Sequence, residues 1–396
     1  MNIAIVLAQP LEYSTSSMIR CRNIINEYPK QKHTVICFAP SPDIESQYFD
    51  KDAFVNDDIV QIEYSQNDYR KNIRELKDKR YGKDKRYGIK PRVISLLYRI
   101  YKKFDFLGES IKYVRYRKNV CTEIRRQECD ILVSFSNPMT SHIIAGYCKK
   151  RNPKLFYVQQ WGDPLTFDFT SKVIYPKWVK RMIEAQLVKY ADRVCYVSPF
   201  TFEAQKKLLK SSSEKMIFLP TPCEIVNYPE KGNESITLGY FGSYNSVARN
   251  IMPLYNAACG LLKCKFLFVG DSDVRLEPKP NIAVEKRVGK KELNDYLKDV
   301  DVLICLMNHQ GNLIPGKIYN YAGTNKEILL IKDGELGGKI ETFFAQYQRY
   351  TIVDNNEKAI SEAIVQYIER GVPLRRPVLD FRADIVSSKL IDREES

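Results

Sequence analysis

Two segments in the second half of the chain combine glycine, a cation and a strand-to-helix turn. In the first, an apolar run ends at Gly242, Ser243 follows in a polar loop, and Arg249 precedes an amphipathic stretch. Glycine lets a backbone approach a ligand closely, helix amino termini offer unpaired N–H groups, and arginine adds a two-pronged charge. The segment predicts an anion site suited to a diphosphate. The alternative is an ordinary turn with a surface arginine.

The second segment follows a predicted strand at 301–306. Pro315 is expected to open a helix, and Gly316 comes next. Lys317 then lies near the helix start, where a phosphate could reach it, and Asn320 is three residues on, on the same helical face. This arrangement also predicts phosphate binding.

The elements that must position these residues are short apolar runs alternating with amphipathic stretches, which predicts an α/β fold of parallel sheets covered by helices. A proline-containing stretch at 219–235 lacks periodicity and indicates a linker. We therefore expect a domain at 1–222 and another at 223–377, with a ligand cleft between them and residues 378–396 packing back on the first domain. The predicted strands cover 3–7, 34–38, 131–135, 155–158, 193–197, 236–241, 265–269, 282–284, 302–306 and 328–331.

The composition excludes several classes of protein. With 396 residues, 44% hydrophobic and 28% charged, the chain is neither disordered nor fibrous. No apolar run is long enough for a membrane-spanning helix, and the amino terminus is expected to be a buried strand without a secretory signal. Ten cysteines without a CxxC pair indicate reduced thiols in a cytoplasmic protein, and three histidines make zinc unlikely to be bound, so no metal is expected.

The positive charge is concentrated in one segment. The net charge is +14, and residues 70–126 carry 20 Lys or Arg against 6 Asp or Glu, a difference of 14. Basic residues interleaved with large apolar ones suit an anionic membrane surface, and the alternative is a solvated basic helical face. No nucleic acid is expected as a partner, because no recognised motif accompanies the charge.

In their order and spacing, the two segments resemble the carboxyl half of a GT-B glycosyltransferase and are most similar to glycosyltransferase family 4. That fold has two Rossmann-like domains facing a central cleft. The resemblance covers nearly the whole chain except the basic segment. Glu184 with 191–194 and 196–198 resembles the end of the family's first domain. Residues 130–138 and 161–164 resemble its two cleft loops, and Ser16, Ser17 and Arg20 resemble its acceptor-side loop.

The resemblance implies retaining transfer of a sugar from a nucleotide-sugar donor, without a metal or another cofactor. A UDP-sugar is favoured and a GDP-sugar is possible. The departing phosphate itself would take the acceptor proton. By the same resemblance, Arg249 and Lys317 would hold the diphosphate, with the Pro315–Gly316 turn beside them. Gly242 and Ser243 would approach it, Val288 would read the base, and Asp163 and His142 would face the sugar and the acceptor hydroxyl.

The chain departs from the family pattern at the two glutamates and at the basic residue that often follows the arginine, where Met252 and Pro253 stand. Asn312 and Asn320 stand where the family has two glutamates eight positions apart. The second glutamate holds the donor ribose in the family, and an asparagine makes that bond without charge assistance, at roughly half the strength. These departures leave open the donor's identity and, to a lesser degree, whether the protein is active.

Other signals carry alternatives. The DxD motifs at 271–273 and 299–301 are not expected to bind a metal, because one ends a strand and the other leads into one. His142 could equally be a core or surface histidine, and Asp163 could merely cap a turn. His309 precedes the second segment closely and could approach the donor, whereas His33 is expected to be structural.

The leading hypothesis is a transferase of surface polysaccharide biosynthesis (capsule, exopolysaccharide or O-antigen) with a glycan or lipid-linked glycan acceptor. The basic segment would dock it on the inner face of the cytoplasmic membrane. One alternative is a sugar-nucleotide epimerase or hydrolase, which would need more ionisable cleft residues. Another is a catalytically degenerate GT-B protein that binds a partner or a glycan.

Overall fold

The computed structural model describes residues 1–64, 105–168, 173–229, 235–244, 246 and 248–393. The chain forms two compact units. Unit 1 comprises Met1–Tyr196, Phe202–Ile217 and Ile391–Ser396, and unit 2 comprises Val197–Thr201 and Phe218–Leu390. Most of the predicted basic segment, residues 70–104, lies outside the described residues.

In unit 1, buried apolar strands alternate with helices. The strands are β1 (Asn2–Val6), β2 (Thr34–Pro40), β3 (Ile59–Tyr64), β4 (Ile131–Phe135), β5 (Phe156–Trp161), β6 (Arg193–Tyr196) and β7 (Met216–Phe218). The helices are α1 (Ser16–Ile25), α2 (Glu27–Lys30), α3 (Arg117–Arg126), α4 (Thr140–Arg151), α5 (Lys177–Val188) and α6 (Pro199–Leu208), with 3₁₀ helices at Gly108–Tyr116 and Lys210–Lys215.

Unit 2 repeats this pattern. Its strands are β8 (Thr237–Phe241), β9 (Lys265–Val269), β10 (Ile282–Glu285), β11 (Val302–Leu306), β12 (Glu327–Lys332) and β13 (Thr351–Asp354). Its helices are α7 (Met252–Gly260), α8 (Lys290–Asp299), α9 (Lys317–Ala322), α10 (Gly337–Ala345), α11 (Glu357–Arg370) and α12 (Ala383–Ile391), with a 3₁₀ helix at Leu379–Phe381.

Each unit has a parallel sheet in which the strand order reverses beside the first strand. Among the described residues, the sheet of unit 1 has the order β3-β2-β1-β4-β5-β6-β7, and that of unit 2 has β10-β9-β8-β11-β12-β13. In doubly wound sheets, ligands bind beyond the carboxyl ends of the strands at such a reversal. In unit 2 that point lies between β8 and β11, and it brings together the chain after Phe241 and the chain after Leu306.

The α/β prediction with two Rossmann-like units of parallel strands is confirmed. The end of the chain differs from the expectation that residues 378–396 pack on the first domain. Phe381 packs in unit 2, with its ring centroid 5.0 Å from that of Tyr319 and 4.8 Å from that of Tyr347. Only Ile391–Ser396 belong to unit 1. The reason is that the aromatic cluster beneath α9 buries Phe381 completely.

All ten cysteines are free, and nine of them are buried. In the described part of the chain, none of the helices has the length and apolar character needed to cross a bilayer.

Candidate functional site

Lys317 lies at the carboxyl end of β8, where α9 begins. Its Nζ donates a hydrogen bond to the Phe241 carbonyl oxygen at 2.6 Å and lies 4.2 Å from the centroid of the Tyr240 ring. A Cβ atom at Gly242 would overlap this Nζ, and the Gly242 φ of 140° is one that other residues rarely adopt. Glycine is therefore required both by the backbone and by the approach of the lysine.

Arg249 is held beside the same turn by two hydrogen bonds. Its Nη1 donates to the Ser243 carbonyl oxygen at 2.7 Å, and its Nε donates to Asn308 Oδ1 at 2.9 Å. Asn308, which follows β11, in turn donates through Nδ2 to the Leu313 carbonyl oxygen at 3.2 Å. The guanidinium is thus oriented by neutral oxygen atoms from the loops that follow β8 and β11.

Arg249 and Lys317 are close enough for their positive charges to repel each other. Burial and, after it, the charge of Arg249 lower the pKa of Lys317 to about 7. Within the described residues, no carboxylate forms an ion pair with either cation. Two neighbouring cations held by neutral groups are suited to a ligand of high negative charge, because an anion would relieve their repulsion.

Gly270, which follows β9, lets the loop after that strand pack closely against Gly242. Gly270 follows β9 with a φ of 157°, and a Cβ atom there would overlap the Gly242 carbonyl group. The loops after the two strands are further joined by a hydrogen bond from Tyr244 N to the Asp271 carbonyl oxygen at 3.1 Å. Close packing of these loops fixes the backbone around Gly242.

The rest of the second segment forms the loop that leads into α9. Helix α9 begins at Lys317 with Gly316 at its N-cap, two residues later than a helix opened by Pro315 would, and Pro315 is buried. The Asn312 carbonyl oxygen accepts hydrogen bonds from Ser198 Oγ at 2.6 Å and Thr201 Oγ1 at 3.2 Å, which tether this loop within unit 2.

Two further predicted donor residues also belong to unit 2. The side chain of Asn320 is exposed on α9. Val288 is half-buried between β10 and α8 and packs against the unit 2 core. Their roles toward ribose and base stay predictions.

In unit 1, Arg20 is buried at 6% exposure beside the ends of β4 and β5. Its Nε donates to Gln160 Oε1 at 2.8 Å, and its Nη2 donates to the Ser136 carbonyl oxygen at 2.8 Å. Ser17 Oγ donates to the same carbonyl at 3.0 Å, whereas Ser16 is exposed at the start of α1. Arg20 thus positions this loop, and Ser16 is the residue of the predicted acceptor side that faces solvent.

Asp163 lies in the turn after β5, next to this arginine. Burial, followed by the charge of Asp168, raises its pKa to about 6, and the charge of Arg20 opposes that rise. The turn is held by Gly162 N, which donates to Ser136 Oγ at 3.3 Å. A carboxyl group with a pKa near 6 changes protonation close to neutral pH, as an acid–base group requires.

His142 lies in the core of unit 1 at 1% exposure. Its Nδ1 is 2.7 Å from Ser134 Oγ, its ring centroid is 4.5 Å from that of Trp161, and burial lowers its pKa to about 3. The predicted position facing an acceptor hydroxyl therefore differs from the one observed, which favours the core histidine that the sequence left as an alternative. The physical reason is that α4 packs this side of the helix directly on the sheet.

A polar chain continues from this histidine to the Asp163 turn. Tyr157 OH lies 3.0 Å from Ser134 Oγ and accepts from Gln159 Nε2 at 2.9 Å, and Gln159 Oε1 accepts from Trp161 Nε1 at 2.9 Å. These buried bonds fix the residue that precedes Gly162 and Asp163.

The remaining polar signals have structural partners. Asp273 accepts hydrogen bonds from Ser246 N at 2.9 Å and Ser246 Oγ at 2.7 Å. His309 pairs with Asp333 at 3.0 Å, and its backbone N donates to the Ala248 carbonyl oxygen at 2.8 Å, which supports the loop of Arg249. Among the described residues, no group of three or more His, Cys, Asp or Glu side chains could hold a metal ion.

Sequence reasoning missed several neighbours of the site. Asn308 and Gly270 carry no local signal beyond their place after a strand, and only the sheet order would have brought them to Arg249 and Gly242. Tyr240 was part of a predicted strand, but its contact with Lys317 depends on packing across the sheet.

The comparisons with known proteins concern the fold. No family model and no curated protein sequence matches the chain. Anabaena HepE in complex with UDP and glucose superposes with a TM-score of 0.56 at 11% identity, over 99% of this chain and 96% of that one. A glycosyltransferase from Rickettsia africae gives 0.56 at 14% identity over 98% and 92%, and the lipopolysaccharide outer core galactosyltransferase WaaB gives 0.51 at 11% over 98% and 97%.

These likenesses extend over almost the full length of each chain, so the chain has the GT-B fold. At such low identity they define the fold and leave membership of glycosyltransferase family 4 as an expectation from the sequence.

Proposed function

We propose that the protein is a glycosyltransferase that uses a nucleotide-sugar donor, with a UDP-sugar favoured and a GDP-sugar as the second choice. The observation that carries the proposal is the pair of cations Lys317 and Arg249, which lie beside Gly242 without a carboxylate partner among the described residues. Solved structures of similar fold that contain UDP or UDP-glucose support the choice of donor.

In this proposal, the two cations neutralise the diphosphate as it leaves the sugar. An approaching diphosphate favours the protonated form of Lys317, whose pKa of about 7 leaves it partly neutral in the free protein. The departing phosphate takes the acceptor proton, and the sugar keeps its configuration. The cations supply positive charge where phosphate charge develops, so no further cofactor is required by the proposal.

We assign the acceptor to unit 1, at the turn that carries Asp163 and near the exposed Ser16. The raised pKa of Asp163 suits hydrogen bonding to a sugar hydroxyl in either protonation state. Arg20 acts here as a positioning residue, because neutral oxygen atoms of Gln160 and Ser136 already accept its hydrogen bonds. The acceptor would be a glycan or lipid-linked glycan of surface polysaccharide biosynthesis.

The same proposal places the protein in the cytoplasm, peripherally on the inner face of the cytoplasmic membrane. The concentration of the whole charge excess in residues 70–126 supports an anionic lipid surface as a partner.

A thermal-shift and calorimetric titration with UDP, GDP and their sugars tests the donor site. Wild type is expected to bind one nucleotide diphosphate, and the double variant Arg249→Ala with Lys317→Ala is expected to lose that binding. Arg275→Ala with Lys298→Ala, which removes two exposed cations of unit 2, is the matched control and keeps it. Failure of every nucleotide to bind would instead favour the catalytically degenerate GT-B protein, in which Asn312 and Asn320 replace the two family glutamates.

A further inference from the structure

Helix α5 carries apolar residues on two faces. On its inner face, Ile183 and Leu187 pack against the unit 1 core, and Val188 is fully buried. On its outer face, Trp178 is 64% exposed and Met182, one turn later, is 59% exposed. Folding uses the inner face, so the outer apolar residues are not explained by the core of unit 1.

The apolar exposure continues just before the helix. Ile174 is 54% exposed, although its neighbour Tyr175 packs on Phe106 with ring centroids 6.5 Å apart. Single exposed apolar side chains are ordinary, but a run that contains an exposed tryptophan indicates an interaction surface.

The charges around these residues are positive. Between residues 173 and 190 the chain has four basic residues and one acidic residue, Glu184. Lys177 and Arg181 are exposed next to Trp178 and Met182. Glu184 is 1% exposed, so its carboxylate does not offset the outward charge.

We propose that this outer face of α5, formed by Ile174, Lys177, Trp178, Arg181 and Met182, docks the protein onto an anionic lipid bilayer. Tryptophan favours the boundary between headgroups and acyl chains, and lysine and arginine are attracted to anionic headgroups. Lys177, Trp178, Arg181 and Met182 lie on one exposed side of a helix, which suits a helix lying in the plane of a bilayer. The net charge of +14 adds a long-range attraction to the same surface.

The inner side of α5 connects this docking face to the acceptor turn. Glu184 Oε1 accepts from Thr166 N at 2.7 Å, and Glu184 Oε2 accepts from Thr166 Oγ1 at 2.8 Å, three residues after Asp163. Docking through α5 would therefore hold the Asp163 turn close to the lipid surface. This consequence rests on the proposed transferase function with a lipid-linked acceptor, whereas the docking itself does not.

Intrinsic fluorescence of the full chain tests the docking directly. The protein has two tryptophans, Trp161 at 1% exposure and Trp178 at 64%. With vesicles of phosphatidylglycerol and phosphatidylcholine, the emission is expected to shift to the blue and to be quenched by lipids brominated on the acyl chain. Phosphatidylcholine alone is expected to produce neither change. Trp178→Phe, which leaves Trp161 as the only indole, is expected to lose both signals.

Vesicle co-sedimentation separates the apolar from the charged contribution. Trp178→Ser with Met182→Ser is expected to weaken binding at least about tenfold, and Lys177→Gln with Arg181→Gln about 30-fold. The matched controls are Ile44→Ser, an exposed isoleucine between Asp43 and Glu45, and Lys298→Gln with Lys358→Gln on unit 2. Both controls are expected to bind like wild type.

Three results would overturn the proposal. The first is absence of vesicle binding, and the second is vesicle binding that the α5 variants leave unchanged, which would assign the contact to the basic segment. The third is a lipid-independent dimer lost in Trp178→Ser, which would assign the face to a second copy of the chain. Nucleotide binding is measured on the same variants and is expected to be unchanged, so failure of the docking and failure of the proposed donor site give different results.

Discussion

Arg20 in unit 1 and Arg249 in unit 2 both lie beside the ends of parallel strands and both donate to neutral oxygen atoms, but their electrostatic surroundings are opposite. Arg20 is 6% exposed and has the carboxylate of Asp163 as a neighbouring charge. Arg249 is half-buried and has the ammonium of Lys317 as its neighbour. The charge of Arg20 has a carboxylate of the protein beside it, whereas the charge of Arg249 has a second cation beside it.

His142 in unit 1 and Lys317 in unit 2 both have a lowered pKa, but for different reasons. Burial alone lowers the pKa of His142, whereas a neighbouring cation contributes to the low pKa of Lys317. A bound diphosphate would raise the second pKa and leave the first unchanged. A perturbed pKa thus indicates a ligand site only when its cause is one that a ligand can remove.

The largest effect is expected from removing the compensated arginine. Arg20→Ala leaves Gln160 Oε1 without its donor, the Ser136 carbonyl with the Ser17 hydroxyl as its remaining donor, and Asp163 without its counter-charge. We therefore expect the free energy of unfolding to fall by about 3 kcal/mol. Arg249→Ala is expected to cost less than about 1 kcal/mol, because it also relieves repulsion with Lys317. Urea denaturation measures both, and equal losses would contradict the comparison.

A smaller effect is expected from the buried histidine. Its pKa is about 3 in the folded protein and about 6.5 when unfolded, so the unfolded state binds more protons between these values and stability falls as the pH drops below 6.5. From pH 6.5 to 5, wild type is expected to lose about 2 kcal/mol more than His142→Gln. Asp163, whose pKa is raised, acts in the opposite direction in both proteins. The measurement is the free energy of unfolding of both proteins from urea denaturation at pH 6.5 and pH 5. Equal losses in the two proteins would contradict the lowered pKa of His142.

The lowered pKa of Lys317 predicts that the affinity for a nucleotide depends on pH. An anion requires the protonated form of Lys317, so UDP affinity is expected to fall about tenfold as the pH rises from 7 to 8.5, with proton uptake on binding. Calorimetry in two buffers of different ionisation enthalpy measures this uptake. Lys317→Arg, which keeps its charge, should give a flat profile. A flat wild-type profile would argue against a lysine poised by its neighbour.

The smallest effect concerns orientation of the arginine. Asn308→Ala removes the oxygen that accepts from Arg249 Nε, and we expect about a fivefold loss of UDP affinity, since one hydrogen bond to a charged group is lost. The measurement is the dissociation constant at pH 7, with stability followed in parallel. An effect as large as that of Arg249→Ala would mean that Asn308 contacts the ligand itself.

The predictable parts of the fold were those set by local pattern. Continuous apolar runs such as 302–306 indicated buried parallel strands correctly, because both faces of such a strand are covered. Strand β3, with the sequence IVQIEY and several exposed positions, was missed because it lies at the edge of the sheet and mixes polar residues with apolar ones.

The candidate site was predictable as far as spacing determines it. Gly242, Arg249 and Lys317 follow strands that meet at the reversal of the sheet, and the structure brings all three together. The position of His142 was not predictable, since it depends on packing against Trp161, 19 residues further along the chain. Sequence gives the type of a side chain, but its exposure is decided by such distant contacts.

The most direct measurement compares the affinities of UDP, UMP and uridine for wild type and for Arg249→Ala with Lys317→Ala at pH 7. If the two cations bind the diphosphate, wild type will bind UDP more tightly than UMP and UMP more tightly than uridine, and the double variant will lose these differences. Equal affinities of wild type for the three compounds, or a preference for UDP that survives in the double variant, would contradict a diphosphate site at Gly242.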